Sequence, residues 1–245
     1  MYKHYLFDLY GTLIDIHTNE ESSLLWQKLS SFYAFNGALY TATTLKDAYI
    51  EKVNSYKTKQ THTPYPDFPL EQVFRDLFLA KAVIPSADLT VSAMQCFRIL
   101  STKYVKLYPS VHELLSSLKK AGKKLFVLSN AQREFTLKEM RILGIEDYFD
   151  GIYFSSDYCC CKPDSAFYEI LLKNEKLLPQ DCLMIGNDYN ADCEGAYDSG
   201  IASLYIHSNL SPHYPKDFHA QYKVLRGGLT KATSLILGKI EGITN

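Results

Sequence analysis

No stretch of this chain approaches the ~20 consecutive apolar residues needed to cross a bilayer, so the sequence offers no candidate membrane span. Neither sign of charge dominates: 26 Lys and Arg stand against 27 Asp and Glu, a net charge of -1. Nucleic acid and anionic membrane surfaces are therefore not expected as partners. The six cysteines include no CxxC pair, and no histidine cluster completes a zinc site with them. Three of them, Cys159, Cys160 and Cys161, are consecutive and poorly placed to bridge one another, and a chain of 245 residues has no need of staples. Met1-Tyr2-Lys3-His4 shows no signal-peptide pattern. No internal repeat or low-complexity tract is visible. What remains is an ordinary globular composition, 47% hydrophobic and 22% charged. It implies a reduced, cytoplasmic protein of one or two domains, monomer or homodimer.

Five short apolar runs read as buried parallel strands: Tyr5–Phe7, Lys124–Leu128, Gly151–Phe154, Cys182–Ile185 and Ala202–Ile206. Helical patterns separate the later ones. Val111–Ala121 carries Val111, Leu114, Leu115 and Leu118 at helical spacing and stops at Gly122. Phe135–Leu143 stops at Gly144, Ser165–Lys173 follows Lys162-Pro163, and Asp192–Ser199 stops at Gly200. Alternation of this kind implies an α/β, doubly wound parallel sheet that binds ligands at the carboxyl ends of its strands.

Between the first and second strands the alternation breaks. Ser22–Phe35, Leu45–Tyr56 and Leu70–Ala82 read as helices, with a Pro-rich interruption at Thr63–Pro69. A helical insertion directly after the first strand is expected to cap the site. The domain reading is thus a core of residues 1–15 and 89–245 and a helical cap over 16–88, with Pro109 marking re-entry into the α/β alternation.

Asp8 ends the first strand and opens Asp8-Leu9-Tyr10-Gly11-Thr12-Leu13, which poises a carboxylate over a cleft. Alone it reads equally as a turn or helix cap. Ser129-Asn130, Lys162-Pro163 and Asp188 with Asp192 follow at strand ends and a loop, each adding a group that phosphoryl transfer needs.

With these four motifs in this order, the chain resembles the haloacid dehalogenase superfamily of hydrolases, with a Rossmann-like core and a helical cap inserted after the first motif. The resemblance implies that Asp8 is the nucleophile and forms an aspartyl-phosphate. It implies a magnesium ion held by Asp8, the backbone carbonyl of Tyr10, Asp188 and Asp192, the last as ligand or outer acceptor one helical turn further on. Ser129, with backbone N–H groups near Asn130, is expected to hold a phosphate oxygen. Lys162 supplies a fixed positive charge. The expected substrate is a small phosphorylated metabolite.

The chain departs from the superfamily's phosphatases at Tyr10, where a second Asp normally serves as acid and base. A phenol with a reference pKa of about 10 is a poor base, and the loss costs roughly 10²–10⁴-fold in rate if nothing replaces it. Asp-x-Tyr-Gly-Thr is also similar to the 2-haloacid dehalogenases, which release halide without a metal. Asp188 favours magnesium and phosphate, because an extra carboxylate beside the nucleophile repels an anionic haloacid. A non-catalytic module that binds a phosphorylated ligand is the third reading.

Overall fold

A computed structural model of the protein describes residues 2–241. The chain runs β1 (His4–Phe7), β2 (Ile14–Thr18), α1 (Ser23–Phe35), α2 (Ala42–Lys59), α3 (Glu71–Leu79), α4 (Ala87–Ser101) and β3 (Thr102–Leu107). It continues as α5 (Val111–Lys120), β4 (Lys124–Ser129), α6 (Arg133–Ile142), β5 (Gly151–Phe154), α7 (Ser155–Tyr158) and α8 (Ser165–Glu175). The last elements are β6 (Cys182–Gly186), α9 (Gly195–Asp198), β7 (Ala202–Ile206), β8 (Tyr222–Val224) and α10 (Gly228–Glu241).

Six strands form one sheet in the order β5-β4-β1-β6-β7-β8, every pair parallel. Both faces are covered, so the strands read as continuous apolar runs rather than alternating ones. Tyr5, Phe7, Leu125, Val127, Leu183 and Ile185 pack on one face with Leu114 and Leu118 of α5 and Ala232 of α10. Leu6, Phe126, Leu128 and Met184 point the other way, onto Phe167 and Leu171 of α8 and Ala196 of α9. Phe7 is in register with Val127 on one side and Ile185 on the other. The connections leaving β1, β4 and β6 thus open side by side at the switch point of the sheet, where such folds bind ligands.

The five strands expected from sequence are present, each within one residue of its expected bounds. β8 was not anticipated: it is three residues long, with polar Lys223 at its centre. Nor was the antiparallel pair β2–β3: Ile14–Thr18 spans the expected start of the insertion at residue 16, and Thr102–Leu107 lies in the stretch expected to belong to the core. Its register, Ile14 opposite Leu107 and Ile16 opposite Val105, makes a two-stranded stem that carries the chain out of the core and back. The expected helix over 192–199 begins instead as a π-helical turn, Tyr189–Glu194, that runs into α9.

α1 to α4 form a separate aromatic layer. Trp26, Tyr33, Phe74, Phe78 and Phe97 are all buried in it, and Tyr33 stacks on Phe78 with ring centroids 4.2 Å apart. Burial of each such ring contributes about 1.5–3 kcal/mol. Ala93, Met94 and Phe97 place α4 in this layer, so the boundary expected between residues 88 and 89 falls inside that helix. Phe135 of α6 joins the same cluster and ties the layer to the sheet's helices. Among the described residues, no helix is long and apolar enough to cross a membrane.

Candidate active site

Asp8 sits one residue past β1, and its backbone N–H donates to the Ile185 carbonyl at 3.0 Å, which continues the β1–β6 ladder to the cleft. The loop then closes tightly: the N–H groups of Thr12, Leu13 and Ile14 all turn back to the Leu9 carbonyl. Gly11 makes this possible, with φ +88° and a position where a Cβ would lie 2.3 Å from Asn187 Nδ2. The Asp8 side chain is 12% exposed and borders a cavity of about 170 Å³.

Three side chains hold that carboxylate, two from other parts of the chain and one from its own loop. Ser129 Oγ donates to Oδ1 at 3.0 Å, Lys162 Nζ donates to Oδ1 at 3.0 Å, and Thr12 Oγ1 donates to Oδ2 at 3.3 Å. Lys162 also donates to Asp192 Oδ1 at 2.6 Å, and the Asp188 N–H donates to Asp192 Oδ2 at 2.9 Å. Asp192 can lie so close under the strand end because Gly186 has no Cβ; one built there would fall 2.0 Å from Asp192 Oδ2. Burial opposes the charge on Lys162, but Asp192 and Asp8 outweigh it and raise its affinity for the proton above the ordinary lysine value. Burial pushes the Asp192 carboxyl up, against the pull of Lys162. The three groups form a buried carboxylate–ammonium–carboxylate array with its positive charge held between Asp8 and Asp192.

All seven residues read from sequence line this cavity: Asp8, Tyr10, Ser129, Asn130, Lys162, Asp188 and Asp192. Their contacts differ from the expectation in three places. Asn130 faces the Lys162 loop, with Nδ2 donating to the Lys162 carbonyl at 2.9 Å and Oδ1 accepting its N–H at 2.8 Å, so it positions the lysine backbone. The N–H groups just after it are taken, Ala131 by Ser155 Oγ and Arg133 by Ser156 Oγ. Asp192 has both oxygens on protein donors, which makes it the counter-ion of Lys162. Asp188 caps the following turn, Oδ1 accepting the N–H groups of Asn190 and Ala191, and also borders the cavity.

Tyr10 is the third difference. Its hydroxyl donates to Glu139 Oε2 at 2.5 Å, contacts Thr136 Oγ1 at 2.9 Å and accepts from Arg98 Nη2 at 3.1 Å. Burial, with the charge of Glu139 adding to it, raises the phenol's pKa well above its usual value. Arg98 and Glu139 had no signal in the sequence, because they lie on α4 and α6, far from the motifs. Leu210 and Pro212, from the loop after β7, also line the cavity and were not anticipated. Thr12 sits inside the Asp8–Leu13 motif and Asn187 directly precedes Asp188, so both were legible as neighbours.

Residues that carry hard oxygen donors suited to magnesium line the cavity: Asp8, Tyr10 and Asp188. Among the described residues, no group of three His, Cys, Asp or Glu side chains forms a metal site. A cation at this cleft would therefore rest on two carboxylates, a carbonyl and water, a set magnesium accepts.

A family description of haloacid dehalogenase-like hydrolases matches residues 2–200, and the chain belongs to that family. It is 30% identical over 202 residues to a phosphoglycolate phosphatase of Aquifex aeolicus, covering 80% of each chain. It is 29% identical over 135 residues to a glyceraldehyde 3-phosphate phosphatase of Methanothermobacter thermautotrophicus, a match that covers 54% of this chain and 60% of that one. The fold is similar to a HAD phosphatase from Thermococcus onnurineus, with a TM-score of 0.61 at 18% identity over 96% of this chain and 98% of that one. An L-2-haloacid dehalogenase from Xanthobacter autotrophicus shares it with a TM-score of 0.57 at 16% identity, over 97% and 99%. The fold alone accommodates both chemistries.

Proposed function

We propose that the protein is a magnesium-dependent phosphatase that hydrolyses a small phosphate ester through an aspartyl-phosphate on Asp8. The observation that carries this reading is the Asp8 carboxylate itself, buried at a strand end, aimed into a cavity and flanked by Lys162 Nζ and Ser129 Oγ at 3.0 Å each. A carboxylate attacks phosphorus well when nearby positive charge offsets repulsion from the phosphoryl oxygens. Lys162 provides that charge, and Asp192 and Asn130 fix its head and its backbone. Ser129 Oγ is placed to turn from Asp8 to a phosphoryl oxygen as the bond to phosphorus forms. Asp8, the Tyr10 carbonyl and Asp188 would hold magnesium, which when bound neutralises charge on the phosphoryl group. The helices of the insertion act as a cap over this end of the sheet. The curated relatives named as phosphatases support the reading.

The phenol of Tyr10 marks one limit. It is committed to Glu139 and Arg98, so the departing oxygen leaves with a proton from solvent, or as a stable anion. The six cysteines, all free, fit a reducing cytoplasmic setting.

A panel of phosphate monoesters assayed with and without magnesium, beside Asp8→Asn, tests this. Magnesium-dependent release of phosphate that Asp8→Asn abolishes is expected. Turnover of no ester, together with halide release from 2-chloropropionate in chelator, would replace the reading with a dehalogenase.

A further inference from the structure

The link between α2 and α3 is stitched to both loops that present Ser129 and Lys162. Its Tyr65 carbonyl accepts the Cys161 N–H at 2.7 Å, and its Asp67 N–H donates to the Cys159 carbonyl at 3.3 Å. Pro66 lies opposite Cys160 between them, as in a short antiparallel ladder. Further on, Thr63 Oγ1 donates to the Asp164 carboxylate. Lys162 sits inside this docked stretch, directly after Cys161.

The same link is bound to the loop after β4, through Gln132. Its Oε1 accepts the Leu70 N–H at 2.8 Å, and its Nε2 donates to the Phe68 carbonyl at 3.0 Å and to Asp67 Oδ1 at 3.2 Å. Asp67 Oδ1 also accepts the Phe68 N–H, and Oδ2 accepts from Ser155 Oγ at 2.5 Å. Phe68 fixes the other side of the link, buried in the helical layer and stacked on Tyr56 with centroids 5.2 Å apart.

The helical layer does not depend on this link for its attachment. The β2–β3 stem, Phe135 and the Arg98–Glu139 pair already join it to the core. What the link adds is closure of a ring of contacts around Lys162. Ser129 holds Asp8, Asn130 holds the Lys162 backbone, Gln132 holds the link, and the link holds Cys161. A displacement of about 1 Å in a reacting site costs up to roughly 10²-fold in rate.

We propose that Gln132 and Asp67 are positioning residues: they brace the Lys162 loop from the side of the helical insertion and so set the place of the ammonium against Asp8. The inference rests on the phosphatase reading above, in which Lys162 offsets charge on the phosphoryl group. It gives the insertion a part in the chemistry that needs no contact with substrate.

The test measures kcat and KM for p-nitrophenyl phosphate with magnesium, expressed per folded chain from urea unfolding of the same preparation. Gln132→Met and Asp67→Ala are each expected to lower kcat and kcat/KM together by roughly tenfold, the pattern of a contact that matters in the transition state. Asp67→Asn keeps an oxygen for Gln132 and the Phe68 N–H, and is expected to stay within about threefold of wild type. Should the first two variants fail to fold, Thr63→Val loosens the other end of the link and is expected to lower both constants by roughly threefold or more. Rates per folded chain that do not change in the loosened variants, a rise in KM at constant kcat, or Asp67→Asn as slow as Asp67→Ala overturns the inference and leaves the phosphatase reading intact. A wild-type chain with no Asp8-dependent turnover overturns both.

Discussion

Arg98 and Glu139 form a largely buried two-pronged ion pair, Nε to Oε1 at 2.6 Å and Nη2 to Oε2 at 3.1 Å. It joins the helical layer to the core, α4 to α6, and the Tyr10 hydroxyl is gripped between its two members. The residue that follows Asp8 by two positions is therefore a structural tie. Its phenol serves the Arg98–Glu139 pair.

Tyr10→Phe should on this basis leave kcat on p-nitrophenyl phosphate within about threefold of wild type while lowering stability by about 1 kcal/mol, one hydrogen bond's worth. Urea unfolding and steady-state rates measured on the same preparation check both halves. A rate loss of 10²-fold or more would show the phenol delivering a proton after all.

Removing one member of the Arg98–Glu139 pair should hurt more than removing both. Glu139→Ala leaves the guanidinium uncompensated and is expected to cost about 3 kcal/mol, towards the lower end for buried pairs because Arg98 keeps 18% of its side chain in solvent. Arg98→Met with Glu139→Leu is expected to recover most of that loss. A double-mutant cycle in urea measures the coupling, and purely additive losses would contradict the account.

Lys162 and Asp192, each with a side chain 1% exposed, should behave the same way in stability but not in activity. Lys162→Met strands two carboxylates and is expected to destabilise by about 3–5 kcal/mol. Adding Asp192→Asn should restore part of the stability while turnover stays absent, because the charge beside Asp8 is still missing. Recovery of turnover in the double variant would remove Lys162 from the chemistry.

How much of this was legible from the sequence follows from how local each signal is. The sheet was readable because strands buried on both faces are unbroken apolar runs, as in Leu125–Leu128. That Asp8, Ser129, Lys162 and Asp188 gather at one cavity was readable because they stand at strand ends or in a loop beside turn-forming residues. The β2–β3 stem was not, since Ile14–Thr18 gains its strand character from Val105 and Leu107, some 90 residues away in the chain. α4 was not read as an element, and the boundary expected between residues 88 and 89 left most of it with the core. The fate of the Tyr10 hydroxyl depended on Glu139, 129 positions distant, and nothing near Tyr10 announces it.

A pH effect on stability should come from Asp150, at the edge of the sheet. Burial raises its pKa, but the Leu125 N–H at 2.8 Å and Lys119 Nζ at 2.9 Å outweigh this and hold the carboxyl below its ordinary value. A depressed carboxylate stabilises the fold above the unfolded pKa of about 3.9, and that contribution disappears as pH falls through the folded value. Asp150→Asn should accordingly lose less stability than wild type between about pH 5 and about pH 3. Parallel unfolding midpoints across that range would contradict it.

The central claim is that Asp8 carries the phosphoryl group, and acid-quenched peptide mapping during turnover of p-nitrophenyl phosphate with magnesium tests it most directly. The account predicts one phosphoryl group on the peptide containing Asp8, absent when magnesium is chelated and absent in Asp8→Asn. Turnover that continues with an unmodified Asp8, or a phosphoryl group on a different residue, would contradict it.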